Sequence, residues 1–436
     1  MTTVTTRVPG PHIAAIATCL LLSACTQMGI QPAAAQESPE RSYEVIYRLK
    51  VSRGDDRASA SITIGKGARR ISELKFRVDP DRHADFEGDG DVQATDREVI
   101  WNPPEQGGTL NYRVTITQTR RNGAYDARVT DNWALFRADD AFPAAATKAR
   151  ASATSVARLE LDLPDDWSAL TTYLSAGDKY TFAIDNPARR FDRPTGWVLV
   201  GKMGVRRGRI ADTRVAIGSP KGENFHRMDL MAFLNWTLPG VRSVFPTLDP
   251  RLVIVSAGDP MWRGGLSGPG SLYVHADRPL ISENGTSTFL HELVHVAMGV
   301  AGSDHDDWLV EGLAEYYSIK ILRSSGTLSI RRMELALEDS REWGKDVGNI
   351  FVANASGEVT ARATTLLAEL DLWLMENSPG NRGLDDVVAK MIAANQTYSY
   401  RSLCIAAREV AGTSVPILAP DSVPGAPRLE ECSDGD

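Results

Sequence analysis

The chain has 436 residues, 42% of them hydrophobic, and its 48 basic and 56 acidic side chains leave a formal net charge of -8. That length and composition suit two or three domains with proper cores, and an acidic balance repels phosphate backbones at long range, so no nucleic-acid partner is expected. Dinucleotide and phosphate-loop patterns are absent, and no apolar run reaches the length of a permanent transmembrane helix.

Residues 1–24 carry Arg7, no acid, and an apolar run from Ile13 to Leu22, the pattern of a secretory leader. Leu22-Ser23-Ala24-Cys25 resembles the bacterial lipoprotein cleavage signal, in which small residues precede a cysteine that is lipidated and becomes the new N-terminus. The resemblance implies a lipid anchor at Cys25 and a protein held on the membrane surface of the cell envelope, facing the periplasm or exterior. Ala33-Ala34-Ala35 before Gln36 offers an alternative, cleavage by an ordinary signal peptidase with release of a soluble periplasmic or secreted protein. Residues 25–42, rich in Gln, Pro and Ala, read as a flexible tether.

Residues 43–218 alternate in short runs such as Tyr43-Glu44-Val45-Ile46-Tyr47 and Leu159-Glu160-Leu161-Asp162-Leu163, broken by Gly, Pro and Asp. That pattern predicts an all-β sandwich. Within it, Arg206-Arg207-Gly208-Arg209 reads as a solvated turn, and the acidic segment 85–91 lacks calcium-loop spacing and its distal Glu. Residues 219–325 read as an α+β region with a helix near Phe225 to Trp236 and strands at 251–255 and 271–275. The glycine-rich segment 263–270 between those strands is either a place for close approach of a peptide backbone or a flexible turn. Helical runs fill 326–412, and a Pro-rich tail occupies 413–436. The expected fold is therefore multidomain α+β.

The chemistry concentrates in His291-Glu292-Leu293-Val294-His295. On a helix, two imidazoles four apart share a face and can bind one Zn²⁺, while Glu292 serves the hydrolytic water as general base rather than as a ligand. With only seven histidines in the chain, a chance match is expected on the order of 0.01 times. The competing structural explanation is a pair of core histidines bonded to backbone carbonyls. Asn284-Gly285-Thr286-Ser287 supplies capping side chains before the helix, and Gly299 or Gly302 could end it.

A hydrolytic zinc site needs a third protein ligand. Trp308-Leu309-Val310-Glu311-Gly312-Leu313-Ala314-Glu315-Tyr316-Tyr317 reads as a second helix, with Glu311 facing back toward the histidines. Glu315, one turn on, reads as a residue orienting a ligand histidine or as a solvated acid. His305, Asp304, Asp306 and Asp307 sit in the intervening loop, where solvation is the ordinary role of an acidic turn. A third histidine six residues after His295 is excluded, because that position is Ala301.

His291-Glu292-x-x-His295 followed by Trp308-Leu309-x-Glu311-Gly312-x-x-x-Tyr316 resembles the zinc signature of the gluzincin metallopeptidases, including aminopeptidase N-like enzymes and the glycyl aminopeptidase family. Leu366-Leu367-Ala368-Glu369-Leu370-Asp371-Leu372-Trp373, then Gly383-Leu384-Asp385-Asp386-Val387-Val388, is similar to the helical segment after the zinc site in the latter family. The resemblance covers roughly residues 240–412. It implies a zincin-like catalytic domain, zinc on His291, His295 and Glu311, and hydrolysis of a peptide or protein substrate.

Two features depart from that family. Its members often place an oxyanion-donating tyrosine where counting back eleven from Asp371 (371 − 11 = 360) gives Thr360, and many append a peptide-binding domain where this chain has 24 residues after Gly412 (436 − 412 = 24). Loss of one oxyanion donor typically lowers turnover about 10²–10³-fold. Tyr398 and Tyr400 are candidate replacements and equally candidates for ordinary amphipathic positions, as are His226 and His275 for exposed ones. Cys404 and Cys432, the only cysteines beyond the leader region, are expected to pair in an oxidising compartment or else to remain two thiols. The functional expectation is a cell-envelope zinc metallopeptidase, aminopeptidase or endopeptidase, and the alternative is a peptidase-fold lipoprotein that binds or scaffolds with little turnover.

Overall fold

A computed structural model describes residues 41–185, 191–299, 302, 304–394 and 397–432. The leader, Cys25, the signal-peptidase alternative at 33–36 and nearly all of the tether lie outside the described residues.

The front region is built on alternation. In Ser42–Lys50, Tyr43, Val45, Tyr47 and Leu49 are buried, while their neighbours point away from the core. This strand lies in a seven-stranded sheet, where it runs parallel to Thr154–Asp162 and antiparallel to Arg57–Ile64. A four-stranded sheet adds Leu74 and Phe76 from Ile71–Arg77 and Trp101 from Glu98–Asn102 to the same core.

A five-stranded sheet containing Trp133–Arg137 and Trp197–Gly201 splits its side chains between two cores. Ala134, Phe136, Val198 and Val200 enter the front core, whereas Leu135, Trp197 and Leu199 pack with Val253, Val255 and Tyr273 of the following region. Period-2 alternation makes one sheet the wall of both. The front region is therefore a layered all-β structure whose rear sheet is shared with the region that follows.

The expected boundary between residues 218 and 219 is corrected. It falls inside Thr213–Pro220, a strand of a second five-stranded sheet in the order Met203–Ile210, Thr213–Pro220, Arg251–Val255, Ser271–Val274, Gly265–Gly268. The hairpin of the first two strands looks the same in either domain when read locally. Its membership is decided by parallel pairing of Thr213–Pro220 with Arg251–Val255, reached through an intervening helix. Arg206, Arg207 and Arg209 are correspondingly exposed on an edge strand and not in a turn, where charge discourages further strand pairing.

Leu252, Ile254, Leu272 and Val274 face the helices on this sheet's other side, which is why these strands read as almost continuous apolar runs. Eight α-helices occur among the described residues: α1 (Ala138–Ala141), α2 (Arg227–Val244), α3 (Thr288–Met298), α4 (Asp307–Ser324), α5 (Ile330–Gly344), α6 (Glu358–Asn377), α7 (Leu384–Ala393) and α8 (Tyr400–Ala411). Leu293, Trp308, Leu313, Leu367, Leu370 and Leu403 belong to one core that joins α3, α4, α6 and α8. Gly312 lets α4 approach α6 closely, since a Cβ there would lie 2.7 Å from that of Ala363. No helix among the described residues is long and apolar enough to cross a membrane.

Cys404 and Cys432 form a disulfide with Cα atoms 5.2 Å apart, tying the tail to α8. The Tyr400 hydroxyl adds a hydrogen bond to the Leu418 carbonyl at 2.6 Å, and the Arg408 guanidinium donates to the Glu431 carbonyl at 3.2 Å.

Candidate metal centre

Local signals define α3 at both ends. The Ser287 hydroxyl accepts from the Leu290 N–H at 3.4 Å, and Gly299, at φ 66°, ends the helix with its N–H on the His295 carbonyl at 3.1 Å. Leu290, Leu293, Val294 and Ala297 anchor the apolar face. His291 and His295 then stand one turn apart, ring centroids 4.8 Å from each other and Nε2 atoms 3.1 Å apart.

Helix α4 brings Glu311 to both rings. Its Oε2 lies 3.3 Å from His291 Nε2 and its Oε1 lies 3.3 Å from His295 Nε2. One ligand atom from each of the three residues falls within 4.8 Å of the others. Glu315 takes a different position, with Oε2 2.9 Å from His291 Nδ1, on the far side of that ring. Spacing alone left these two glutamates on the same helix face, and the structure separates them by which ring nitrogen each meets.

The donor set suits a cation. With Nδ1–H of His291 donating to Glu315, the Nε2 lone pair is left facing a carboxylate and a second ring nitrogen, and such a cluster of acceptors requires a cation or a proton between them. Electrostatics agree. Burial opposes positive charge on His291, yet Glu311 and Glu315 outweigh it and hold its pKa well above the usual imidazole value. Burial likewise pushes Glu311 upward, but the two histidines prevail and hold it well below the ordinary carboxylate range. Two imidazole nitrogens and one carboxylate are the ligand types a catalytic zinc takes, and the residues present fit that ion.

Glu292 is buried beside the trio, and its carboxylate makes none of the converging contacts. It packs beneath the edge strand Gly265–Gly268, where a Cβ on Gly265 would come within 2.5 Å of its Cγ and 2.8 Å of its Oε1. The glycine is required for that approach. Burial raises the pKa of Glu292, and the two histidines oppose the rise without cancelling it. The glycine-rich segment is thus an ordered strand, paired antiparallel with Ser271–Val274. From the front region, Trp197 Nε1 donates to the Leu266 carbonyl at 2.9 Å, and Arg137 reaches the Ser267 carbonyl at 3.4 Å. No local sequence signal pointed to Trp197 or Arg137, because their relation to the strand spans more than sixty residues.

Other candidates separate from the trio. Tyr400, offered as an oxyanion donor, has its hydroxyl committed to Leu418 and its ring packed against Phe351 and Trp308, so it is a core residue. Tyr398 is buried, its hydroxyl lacks a hydrogen-bond partner among the described residues, and its backbone bridges to Gly302. Thr360 lies in the first turn of α6 and receives the Thr364 hydroxyl on its carbonyl. His226 is exposed at the start of α2. His275, expected to face solvent, is instead buried, with Nδ1 accepting from the Asp277 N–H at 3.2 Å.

The loop acids also differ from expectation. Asp306 accepts from the Tyr400 N–H at 3.2 Å and Asp307 from the Ala355 N–H at 2.8 Å, so both fasten the start of α4 to later segments, while Asp304 and His305 are exposed. Ala301 lies outside the described residues.

No known protein family matches the sequence, and no curated protein matches it. Solved structures do. The chain is similar to an aminopeptidase N family protein from Idiomarina loihiensis, with a TM-score of 0.60 and 14% identity over 79% of this chain and 69% of that one. The two share a fold, multidomain α+β with β-rich sheets preceding mixed and helical regions.

Proposed function

We propose that this protein is a cell-envelope zinc-dependent metallopeptidase. The observation that carries the reading is the convergence of His291, His295 and the Glu311 carboxylate beside a buried Glu292 that takes no part in the convergence. The aminopeptidase N family likeness supports a peptidase-like role for such a site on such a fold.

A Zn²⁺ held by His291, His295 and Glu311 would supply Lewis acidity toward a peptide carbonyl and acidify water at the site. Glu292 accepts the proton of the attacking water and later delivers it to the departing amine. Its raised pKa suits that cycle, since a carboxylate in a buried setting holds a proton more readily than one in water. Glu315 fixes the tautomer of His291 through Nδ1. An extended substrate added along Gly265–Gly268 would run past the Glu292 carboxylate.

A peptidase-fold binding protein with weak turnover is the second reading, favoured by Thr360 and by the commitment of the Tyr400 hydroxyl to Leu418. Glu292→Gln decides between them. The substitution is expected to keep the metal and the fold while lowering cleavage of a peptide library by about 10²–10⁴-fold relative to zinc-loaded wild type. A wild type that cleaves nothing, or a variant that cleaves equally well, establishes the binding protein instead.

Envelope location rests on the leader and on Leu22-Ser23-Ala24-Cys25. Mass spectrometry of membrane-extracted protein is expected to find an acylated Cys25, and Cys25→Ala to free the protein from the membrane. An unmodified chain starting at Gln36 would replace the anchor with secretion.

A further inference from the structure

Four arginines of the front region surround one cavity. Arg41, Arg69, Arg70 and Arg150, with Ala151 and Ala153, line a space of about 340 Å³. Backbone hydrogen bonds build its mouth from three separated segments. Arg70 closes a single 3-10 turn with its N–H on the Gly67 carbonyl at 3.0 Å, and the Arg150 N–H donates to the Arg70 carbonyl at 2.8 Å. The Thr154 N–H donates to the Arg41 carbonyl at 3.2 Å, bringing the beginning of the first strand to the same place. No acidic side chain lines the cavity among the described residues.

Arg41, Arg69 and Arg150 are exposed there and Arg70 is half-buried. Arg48, Arg53, Arg120 and Arg158 each meet a carboxylate, and the chain carries more acids than bases. No ion pair joins Arg41, Arg69 or Arg150 to an acidic side chain among the described residues. Arg70 already has a partner, and gathering the other three positive charges is unfavourable to the extent that solvent or an anion does not offset the repulsion. Guanidinium groups present N–H forks that match phosphate oxygens two at a time, and several around one cavity suit a tetrahedral, multiply charged oxyanion better than a single carboxylate.

We propose that this cavity binds a phosphate group, the chemistry shared by a phospholipid headgroup and a free phosphate anion. Arg41 follows Cys25 by sixteen residues (41 − 25 = 16). In the part that rests on the anchor proposed above, that covalent link limits the distance to the bilayer to roughly 60 Å and raises the effective concentration of headgroups at the cavity.

The test uses the full chain carrying Cys25→Ser, so that no attached lipid contributes. Inorganic phosphate is titrated by calorimetry, and cosedimentation is measured with phosphatidylcholine vesicles with and without phosphatidylglycerol. At low salt at least one probe is expected to bind, and Arg41→Gln/Arg69→Gln/Arg150→Gln to weaken binding roughly a hundredfold. Arg206→Gln/Arg207→Gln/Arg209→Gln makes the same change in net charge on an exposed edge strand and is expected to leave binding within about twofold. Selective loss of phosphate binding assigns a free anion, and selective loss on phosphatidylglycerol vesicles assigns a headgroup. Absence of binding by wild type to either probe overturns the proposal, as does equal loss in both triple variants or retained binding in a cavity variant with an unchanged melting temperature. Zinc content and peptide cleavage are measured in parallel and are expected to be unaffected, which keeps failure here distinct from failure of the peptidase reading.

Discussion

Helix α4 carries two polar clusters with opposite electrostatic character. At Glu311 and Glu315 it presents two carboxylates to two imidazoles, with the Glu292 carboxylate buried nearby and no lysine or arginine among the contacts. At Tyr316, Tyr317 and Lys320 it meets Asp371 of α6 and Asp385 of α7. There, Lys320 Nζ lies 2.6 Å from Asp371 and 2.9 Å from Asp385, the Tyr316 hydroxyl donates to Asp371, and the Leu384 N–H donates to the same carboxylate at 2.7 Å.

The second cluster supplies its own cation and satisfies its acceptors. Burial disfavours the charge on Lys320, but Asp371 and Asp385 outweigh it and raise its pKa. The first cluster has no lysine or arginine, so a proton on His291 or a bound cation is what offsets its converging carboxylates. A balanced buried network fastens helices together, whereas a convergent one of carboxylates and imidazoles could hold a cation. Conventional helix spacing makes both look alike from the chain.

The largest effect that sharpens this contrast is loss of metal. His291→Ala, His295→Ala or Glu311→Ala is expected to take zinc from about one per chain to near none, measured by metal analysis of purified protein, with the fold retained by circular dichroism. Asp371→Ala is expected to do the reverse: it leaves zinc in place and lowers stability by about 3 kcal/mol, measured by denaturant unfolding, because Lys320 and Tyr316 lose a buried partner. If it stripped the metal, the two clusters would be one unit. The smallest effect belongs to Glu315→Ala, expected to weaken zinc binding about 10–100-fold without abolishing it, by competition with a chelator. Full loss in that variant with retention in Glu311→Ala would exchange the roles of the two glutamates.

Much of the candidate site was legible because its determinants are local. The four-residue spacing of His291 and His295, the cap at Ser287 and the stop at Gly299 all act within one helix. Glu311 was legible because a second apolar helix carried it within reach, and Cys404 with Cys432 because few cysteines exist to pair. Tyr400 stays open in the sequence between a donor and a packing position because an aromatic ring with a hydroxyl suits a core and a site alike, and only the Leu418 carbonyl decides between them. Asp306 and Asp307 read as solvated for the same reason, since their partners, the Tyr400 and Ala355 N–H groups, lie on backbone that the chain reaches by folding.

By itself the sequence determined which segments alternate with period two and which with helical period, where α3 begins, and which side chains are candidates for chemistry. These follow from steric and hydrogen-bonding preferences that act over a few residues. Tertiary structure alone decided that Met203–Ile210 and Thr213–Pro220 join the sheet beside the candidate metal centre, that Gly265 lies over Glu292, that Glu311 meets Nε2 while Glu315 meets Nδ1, and that Arg41 shares a cavity with Arg150. Each of these depends on packing between segments distant in sequence, where local propensity is neutral and burial of both faces of a sheet selects the partner.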